Sequence, residues 1–252
     1  MTLYAPAERF EIARVLSQMT GVISRNLPVF AGLALTLAGL PALALGLVRR
    51  GVLAPEIDWF GPIFLGGLLN LLISALLQAA LIHATISDLN GRKVVLGDCL
   101  ATAIRNVLPL IGISIASSVA SAFGLFLFVV PGLILALSLC VAAPVQVVEG
   151  HGVFSAMGRS GDLTRNHRGA ILLLFILFGV LWIVLQGGLG VIDRLIDVAA
   201  PAVADAAERL VIAPLMEAVA ALIGAAGIAS IYFELRTIKE DVGIEALAAA
   251  FD

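Results

Sequence analysis

Long apolar runs alternate with shorter polar and amphipathic stretches along this chain. The apolar runs occupy residues 27–48, 62–86, 107–130, 133–148, 170–192 and 211–233. A helix needs about 20 apolar residues to cross the ~30 Å hydrocarbon core of a bilayer, and the shortest run, the fourth, lies near the lower limit. The pattern therefore predicts an all-α fold, a polytopic membrane bundle of six transmembrane helices.

Amphipathic stretches precede the first, third and fifth spans, at residues 6–24, 94–106 and 153–166. Their apolar side chains recur at helical spacing with charges between them, so we expect helices that lie in the membrane interface. Each stretch leads into an Arg-Asn pair, and the even-numbered spans are followed by Asp88, Glu149 and Glu234. These marks predict three repeated helical hairpins, each preceded by an interfacial helix. Chance recurrence of arginine at helix ends is the open alternative.

The segments divide the chain into a leader (1–26), a six-span membrane domain (27–235) and a tail (236–252). Six spans place both termini on one side of the membrane. Eleven of the 15 lysines and arginines fall on that side and four on the other. Because cytoplasmic loops carry an excess of basic residues, we expect the N-terminus and the C-terminus to be cytoplasmic.

Composition agrees with a membrane protein. Hydrophobic residues make up 61% of the chain and charged residues 13%, with a mean hydropathy of +1.09. Soluble domains carry about 25% charged residues, so a soluble class is excluded. The net charge of −3 and the absence of a basic run argue against a nucleic-acid partner.

Charged residues at the predicted cytoplasmic ends of the spans form the first candidate site. A carboxylate at a helix C-terminus opposes the helix dipole, so Asp88 and Glu149 should each find a cationic partner. We expect Asp88 to pair with Arg92 or Arg105. The expected partner of Glu149 is one of Arg159, Arg165 or Arg168. Solvated charge at headgroup level is the alternative. The candidate network comprises Asp88, Arg92, Arg105, Glu149, Arg159, Arg165, Arg168, Glu234 and Arg236.

Polar residues within the spans form a second candidate site, made of Asn70, Gln78, Gln186 and Glu217. An ionisable residue inside a membrane span is a functional hypothesis by default, and Glu217 follows Pro214 in the sixth span. Such residues could line a path for a proton or solute. The alternatives are hydrogen bonds between helices and, for Glu217, a position near the interface or a pair with Arg194 or Arg209.

Catalytic patterns are missing from the sequence. No HExxH, nucleophile elbow, phosphate-binding loop or CxxC occurs, and the histidines fall in three different segments. His167-Arg168-Gly169 resembles a phosphodiesterase motif, but a membrane span follows it and no carboxylate pair does. We therefore expect no catalytic, metal or cofactor-binding residues and no enzymatic activity.

Several short motifs carry a family resemblance. They are Pro131-Gly132, Pro144, Glu149-Gly150, Ala156, Arg159-Ser160, Leu163 and Arg165, followed by Tyr232, Arg236 and Glu240 near the end. This pattern resembles the glycerophosphoryl diester phosphodiesterase membrane-domain-like family and the related YciC-type bacterial inner-membrane proteins. A glycine at the position of Asp241 would be more typical. The resemblance implies a bacterial inner-membrane location without a catalytic domain.

The residues together favour a non-enzymatic inner-membrane module that organises lipid or partner proteins at the cytoplasmic face. The expected partners are membrane lipids with anionic headgroups, a second copy of the chain or another membrane protein. Three basic amphipathic stretches motivate this hypothesis, because each basic residue near an anionic leaflet contributes ~1 kcal/mol. The alternative is a small transporter or channel with a polar path near Glu217.

Overall fold

The structure, a computed structural model, describes residues 10–39, 60–199 and 213–249, and every regular element in these ranges is helical. The remaining parts of the predicted leader, first span and tail lie outside the described residues. The helices are α1 (Ile12–Arg25), α2 (Leu27–Ala34, continued by a π-helical turn at Leu35–Gly39), α3 (Phe60–Leu89), α4 (Leu96–Leu127), α5 (Val129–Leu139), α6 (Ala142–Glu149), α7 (Val153–Thr164), α8 (Arg168–Ala199) and α9 (Ala213–Ala249).

Five spans in the described part of the chain are long and apolar enough to cross a membrane. A sixth is possible if α1 and the following Leu27–Leu37, which meet at an 83° bend, count as one broken span. This bend agrees with an interfacial α1 followed by a membrane helix. The prediction of an all-α bundle is confirmed, and the chain is a multi-pass membrane protein by the length and apolar character of its helices.

Small residues hold the centre of the bundle together, where α3 packs against α9. Ala79, Ala80 and Ala84 of α3 are fully buried, and Ala225 and Ala229 of α9 are almost so. Alanines at these positions let two backbones approach closely, which is how membrane helices gain van der Waals contact without a hydrophobic driving force.

The outer helices α4 and α8 expose most of their apolar surface. Only 17% of the α4 span and 11% of the α8 span is buried, against 56% for the α9 span. Large side chains such as Phe123 on α4 and Ile183 on α8 are more than half exposed. In water this would be an aggregation hazard, whereas in a bilayer it is the surface that contacts acyl chains.

A Pro-Gly pair commonly marks a turn, but the hairpin between α4 and α5 turns before Pro131-Gly132, at Phe128. Phe128 has an extended backbone between the two helices, whereas Pro131 lies in the first turn of α5, where its missing N–H costs little. Gly132 instead packs against α4, and a Cβ added there would lie 2.5 Å from the backbone nitrogen of Leu125. The Pro-Gly pair therefore serves close helix packing and does not form the turn itself.

In the three predicted repeats, the amphipathic segment is joined to the following span in three different ways. The first bends sharply between α1 and α2, as described above. The second has no break, since the amphipathic stretch and the span form the single helix α4, which contains Pro109. The third separates α7 from α8 by a short turn in which Asn166 has a positive φ of 74°. The fourth span is likewise divided, into α5 and α6.

Candidate functional site: a charged layer at one end of the bundle

Three acids and their partners form what we call the charged layer. Asp88 lies at the end of α3, Glu149 at the end of α6, and Glu234 on α9. The three lie at one end of the bundle, because α1 contacts both α3 and α9, and because Tyr232, two residues before Glu234, reaches Glu149. The charged layer thus lies at the end of the bundle where these helices meet.

Asp88 accepts hydrogen bonds from both residues of the first Arg-Asn pair. The side-chain amide of Asn26 donates to Oδ1 at 2.7 Å, and Nε of Arg25 donates to Oδ2 at 3.2 Å. The hydrogen bond to Asp88 raises the pKa of Arg25. The expected partners Arg92 and Arg105 were wrong, because α1 packs against α3 and brings its C-terminal residues onto the carboxylate.

Glu149 belongs to a closed ring of polar contacts that joins α6, α7 and α9. The hydroxyl of the buried Tyr232 donates to its Oε1 at 2.8 Å, and Nε of Arg159 lies 3.4 Å from its Oε2. Arg159 also pairs with Glu240 at 3.3 Å. Arg236 completes the ring, because it pairs with Glu240 at 2.8 Å and donates to the Tyr232 hydroxyl at 3.3 Å.

A histidine also contacts this ring from outside, since Nε2 of His151 lies 3.0 Å from Oε2 of Glu149. The contact is local, because Gly150, between the two residues, adopts the left-handed conformation that ends α6.

Glu234 is the most deeply buried acid of the layer, at 1% exposure. Its Oε1 accepts a hydrogen bond from Nη1 of Arg14 at 2.9 Å, and Arg14 also pairs with the exposed Glu11 at 3.0 Å. Two ion pairs therefore hold α1 in place. Arg14, near its start, binds Glu234 of α9, and Arg25, at its end, binds Asp88 of α3. Arg25 follows Arg14 by eleven helical steps, a rise of about 16 Å along the axis of α1.

Arg165 and Arg168, the other two predicted partners of Glu149, make no ion pair with it. Arg165 is exposed between α7 and α8, and no ion pair joins it to another described residue. Arg168 begins α8, and its Nε is buried without a hydrogen-bond partner in the described part of the chain. Of the three arginines predicted to pair with Glu149, Arg159 is the one that does so among the described residues.

Basic residues that pair with none of the three acids line a separate cavity of about 350 Å³, which we call the basic cavity. It lies where the end of α3, the following loop and the start of α4 meet. Its lining contributes three cations (Arg92, Lys93 and Arg105) and one carboxylate (Asp98). The polar lining also includes His83, Ser87, Cys99 and Thr102.

The predicted intramembrane polar residues are not gathered in the interior. Asn70, Gln186 and Glu217 are exposed on the bundle surface, and only Gln78 is half-buried. Arg194, one predicted partner of Glu217, is also exposed, and the other, Arg209, lies outside the described residues. Most of these side chains are therefore on the outer surface of the bundle and do not form a polar cluster in its interior.

No group of three metal-ligating side chains occurs in residues 10–39, 60–199 and 213–249. The two cysteines in these ranges, Cys99 and Cys140, are free.

No protein-family model, curated protein or solved structure matches this chain. The resemblance to the glycerophosphoryl diester phosphodiesterase membrane-domain-like family therefore stays a prediction. What the fold and the site define is a class: a multi-pass, all-α membrane protein whose helices are tied together at one end by a charged layer.

Sequence reasoning recognised both halves of the Asp88 contact without joining them. It identified the Arg-Asn pair that leads into each odd span and the acid that follows each even span, but paired Asp88 with basic residues further along the chain. The two marks did not by themselves indicate this contact, because Arg105 and Arg165, from the other two Arg-Asn pairs, form no ion pair with a described acid. No signal in the sequence connected Arg14 to Glu234 either, because 220 residues separate them.

Proposed function

We propose that this chain is a non-enzymatic module of the inner membrane that organises anionic lipid at the cytoplasmic face, through the charged layer and the basic cavity beside it. One observation carries this proposal. The acids Asp88, Glu149 and Glu234 are each paired with arginine, whereas the three cations of the basic cavity make no ion pair with any described residue. Positive charge is therefore in excess beside the layer.

Electrostatics favours an anionic lipid surface as the partner of that excess. A basic residue near an anionic leaflet contributes ~1 kcal/mol of attraction, and the attraction weakens with salt. The exposed apolar faces of α4 and α8 end at the same charged region, so acyl chains and headgroups would meet complementary surfaces of one molecule. The excess of basic residues on the side of both termini supports a cytoplasmic position for this end.

The ion pairs make the layer suited to holding lipids in a defined arrangement. Arg14 attaches α1 to α9 and Arg25 attaches it to α3, and the Glu149 ring attaches α7 to α9. Groups that are already ordered lose less conformational entropy when a ligand binds. A rigid basic surface can therefore select headgroups that a mobile basic tail would only attract.

The alternative function, a small transporter or channel, draws less support. It relies on a polar path along Asn70, Gln78, Gln186 and Glu217, and three of these four side chains are exposed on the surface of the bundle.

Lipid retained around the protein tests the proposal. The full chain would be extracted from a membrane of mixed anionic and zwitterionic lipid into polymer-bounded discs, and the lipid of the discs compared with that of the whole membrane. We expect anionic lipid to be enriched in the discs. A lipid composition equal to that of the membrane would refute the proposal. Discs formed around an unrelated helical bundle without a basic end serve as the control.

A further inference from the structure

The basic cavity differs from the rest of the charged layer in what its cations contact. Arg92, Lys93 and Arg105 line one space, and within the described residues none of the three forms an ion pair. Asp98 is the single carboxylate in the lining, so three cations and one anion leave a net formal charge of +2 with His83 neutral. Like charges around one cavity repel each other, and a bound anion would remove that repulsion.

The loop that carries two of these cations is held in one conformation. Gly91 has a φ of 71° and its N–H donates to the carbonyl of Asp88, while the N–H of Arg92 donates to the carbonyl of Ser87 at 2.9 Å. These two bonds form a Schellman motif, the turn that ends a helix through a left-handed glycine. Arg92 is thus fixed directly after the C-terminus of α3, so its backbone needs no ordering when a ligand binds.

Neutral donors complete the chemistry of the cavity. The hydroxyls of Ser87 and Thr102 are half-buried in its lining and make no hydrogen bond with other described residues. Ser87 lies one turn after His83 on α3, and Thr102 lies three residues before Arg105 on α4, so each helix presents its polar groups on one face. Hydroxyls together with guanidinium and ammonium groups are the donors that bind phosphate oxygens.

The surroundings of the cavity point to a lipid as the source of that phosphate. The face of α4 that carries Ala101 and Arg105 also carries Ile104 and Leu108, which are 69% and 74% exposed. A volume of about 350 Å³ suits a headgroup, and acyl chains would then lie outside along the apolar residues. A free phosphate ion would use the donors and leave this adjoining surface without a role.

We propose that the basic cavity is a binding site for the phosphate-bearing headgroup of one anionic lipid, whose acyl chains lie along Ile104 and Leu108. The inference rests on the proposed function, because it names the place where the module binds its lipid. Arg92, Lys93 and Arg105 bind the phosphate oxygens, Ser87 and Thr102 add hydrogen bonds, and Asp98 limits the charge of the site.

Native mass spectrometry of the full chain in detergent, titrated with phosphatidylglycerol, measures the dissociation constant of the first bound lipid. Arg105→Gln should weaken that lipid about fivefold, the factor that corresponds to ~1 kcal/mol per basic residue. Arg165→Gln removes the same charge from outside the cavity and is the matched control, which should change the constant less than twofold. Equal effects of the two substitutions would overturn the assignment.

Asp98→Asn provides a second test that does not depend on loss of folding. It raises the charge of the cavity by one without removing a side-chain donor, so it should tighten the first bound phosphatidylglycerol about fivefold. Unchanged or weaker binding by this variant, in protein that remains folded, would contradict the proposal.

Inorganic phosphate distinguishes the two sources of the ligand chemistry. Sodium phosphate at millimolar concentration, compared with sodium chloride of equal ionic strength, should displace little of the bound lipid. Displacement at a concentration comparable to that of the lipid would assign the cavity to a soluble phosphate and overturn the lipid assignment. Enrichment of anionic lipid in the discs with no effect of the cavity variants would refute this site alone, whereas loss of the enrichment itself would refute the proposed function.

Discussion

Arg14 near the start of α1 donates a hydrogen bond from Nη1 to Oε1 of Glu234 on α9 at 2.9 Å, across 220 residues of sequence. The carboxylate is almost fully buried, and the arginine is about one-fifth exposed. Helix α1 is therefore attached to the last membrane helix through charge as well as through apolar contact. The contact also brings the first and the last described helix together in the same layer.

Removing the cation of this pair should destabilise the protein strongly. Arg14→Gln leaves the charge of Glu234 buried without its main partner, a change that costs about 3–5 kcal/mol in comparable buried pairs. The expected result is a clear fall in the thermal midpoint in detergent, measured by the fluorescence of a thiol-reactive dye.

The second partner of Arg14 provides the control. Glu11 is 60% exposed, so Glu11→Gln should change stability by at most about 1 kcal/mol. If both substitutions lowered the thermal midpoint equally, the buried contact with Glu234 would not be what holds α1.

The Glu149 ring predicts a specific role for a hydroxyl group. Tyr232→Phe keeps the buried aromatic ring but removes the donor to Glu149 and the acceptor from Arg236. A hydrogen bond to a charged group contributes about 1.5–3 kcal/mol, and we expect a loss of that size in denaturant unfolding. Arg159→Gln, which breaks a half-exposed contact of the same ring, should cost less than about 1 kcal/mol. The reverse order would contradict the ring as described.

Close packing in the α4–α5 hairpin predicts a contrast between two glycines. Gly132→Ala would place a methyl group 2.5 Å from the backbone of α4, so the two helices must separate. Overpacking of this kind costs about 1–3 kcal/mol. Gly179→Ala on α8 meets no atom within 4 Å and should leave stability unchanged or slightly higher. Comparing the thermal midpoints of the two variants checks the prediction, and equal destabilisation would argue against the close approach.

His167, between α7 and α8, predicts a dependence of stability on pH. Its ring lies 6.1 Å from that of Phe10, and burial, followed by the positive charge of Lys239, lowers the pKa of His167. The unfolded chain therefore binds a proton more readily than the folded one. Stability should fall as the pH drops below the ordinary histidine value of about 6.5, and this contribution is absent above it.

Thermal midpoints measured from pH 8 to pH 5 check this prediction. The wild-type chain should lose more stability on acidification than His167→Gln, which retains the other two histidines as an internal reference. Parallel pH profiles for the two proteins would show that His167 does not contribute.

The part of this fold that the sequence predicts is the set of membrane-spanning helices, because the lengths of the apolar runs determine them. Each apolar run that lies wholly in the described residues is helical apart from short breaks at Phe128 and between α5 and α6, because backbone groups in lipid must be hydrogen-bonded internally. Helix ends were less predictable. Nothing in the sequence near Arg105-Asn106 distinguishes the continuous helix α4 from the sharp bend after Arg25-Asn26, since tertiary packing decides whether the chain bends.

The residues of the candidate site were predicted from the sequence, but only some of the contacts between them were. Asp88, Glu149 and Glu234 were identified from their places after the spans, but two of their partners come from α1, which reaches them only through tertiary structure. The basic cavity has a more local origin. Asp98, Thr102 and Arg105 follow helical spacing on one face of α4, so the pattern for that half of the site is present in the sequence.

The proposed function requires that this chain bind anionic lipid in preference to neutral lipid. Its most direct test is electron paramagnetic resonance of the reconstituted full chain with spin-labelled phosphatidylglycerol or phosphatidylcholine, at low and high salt. We predict a larger immobilised fraction for phosphatidylglycerol at low salt, and a difference that shrinks as salt screens the cations. Equal fractions for the two lipids at low salt would show that the protein has no such preference.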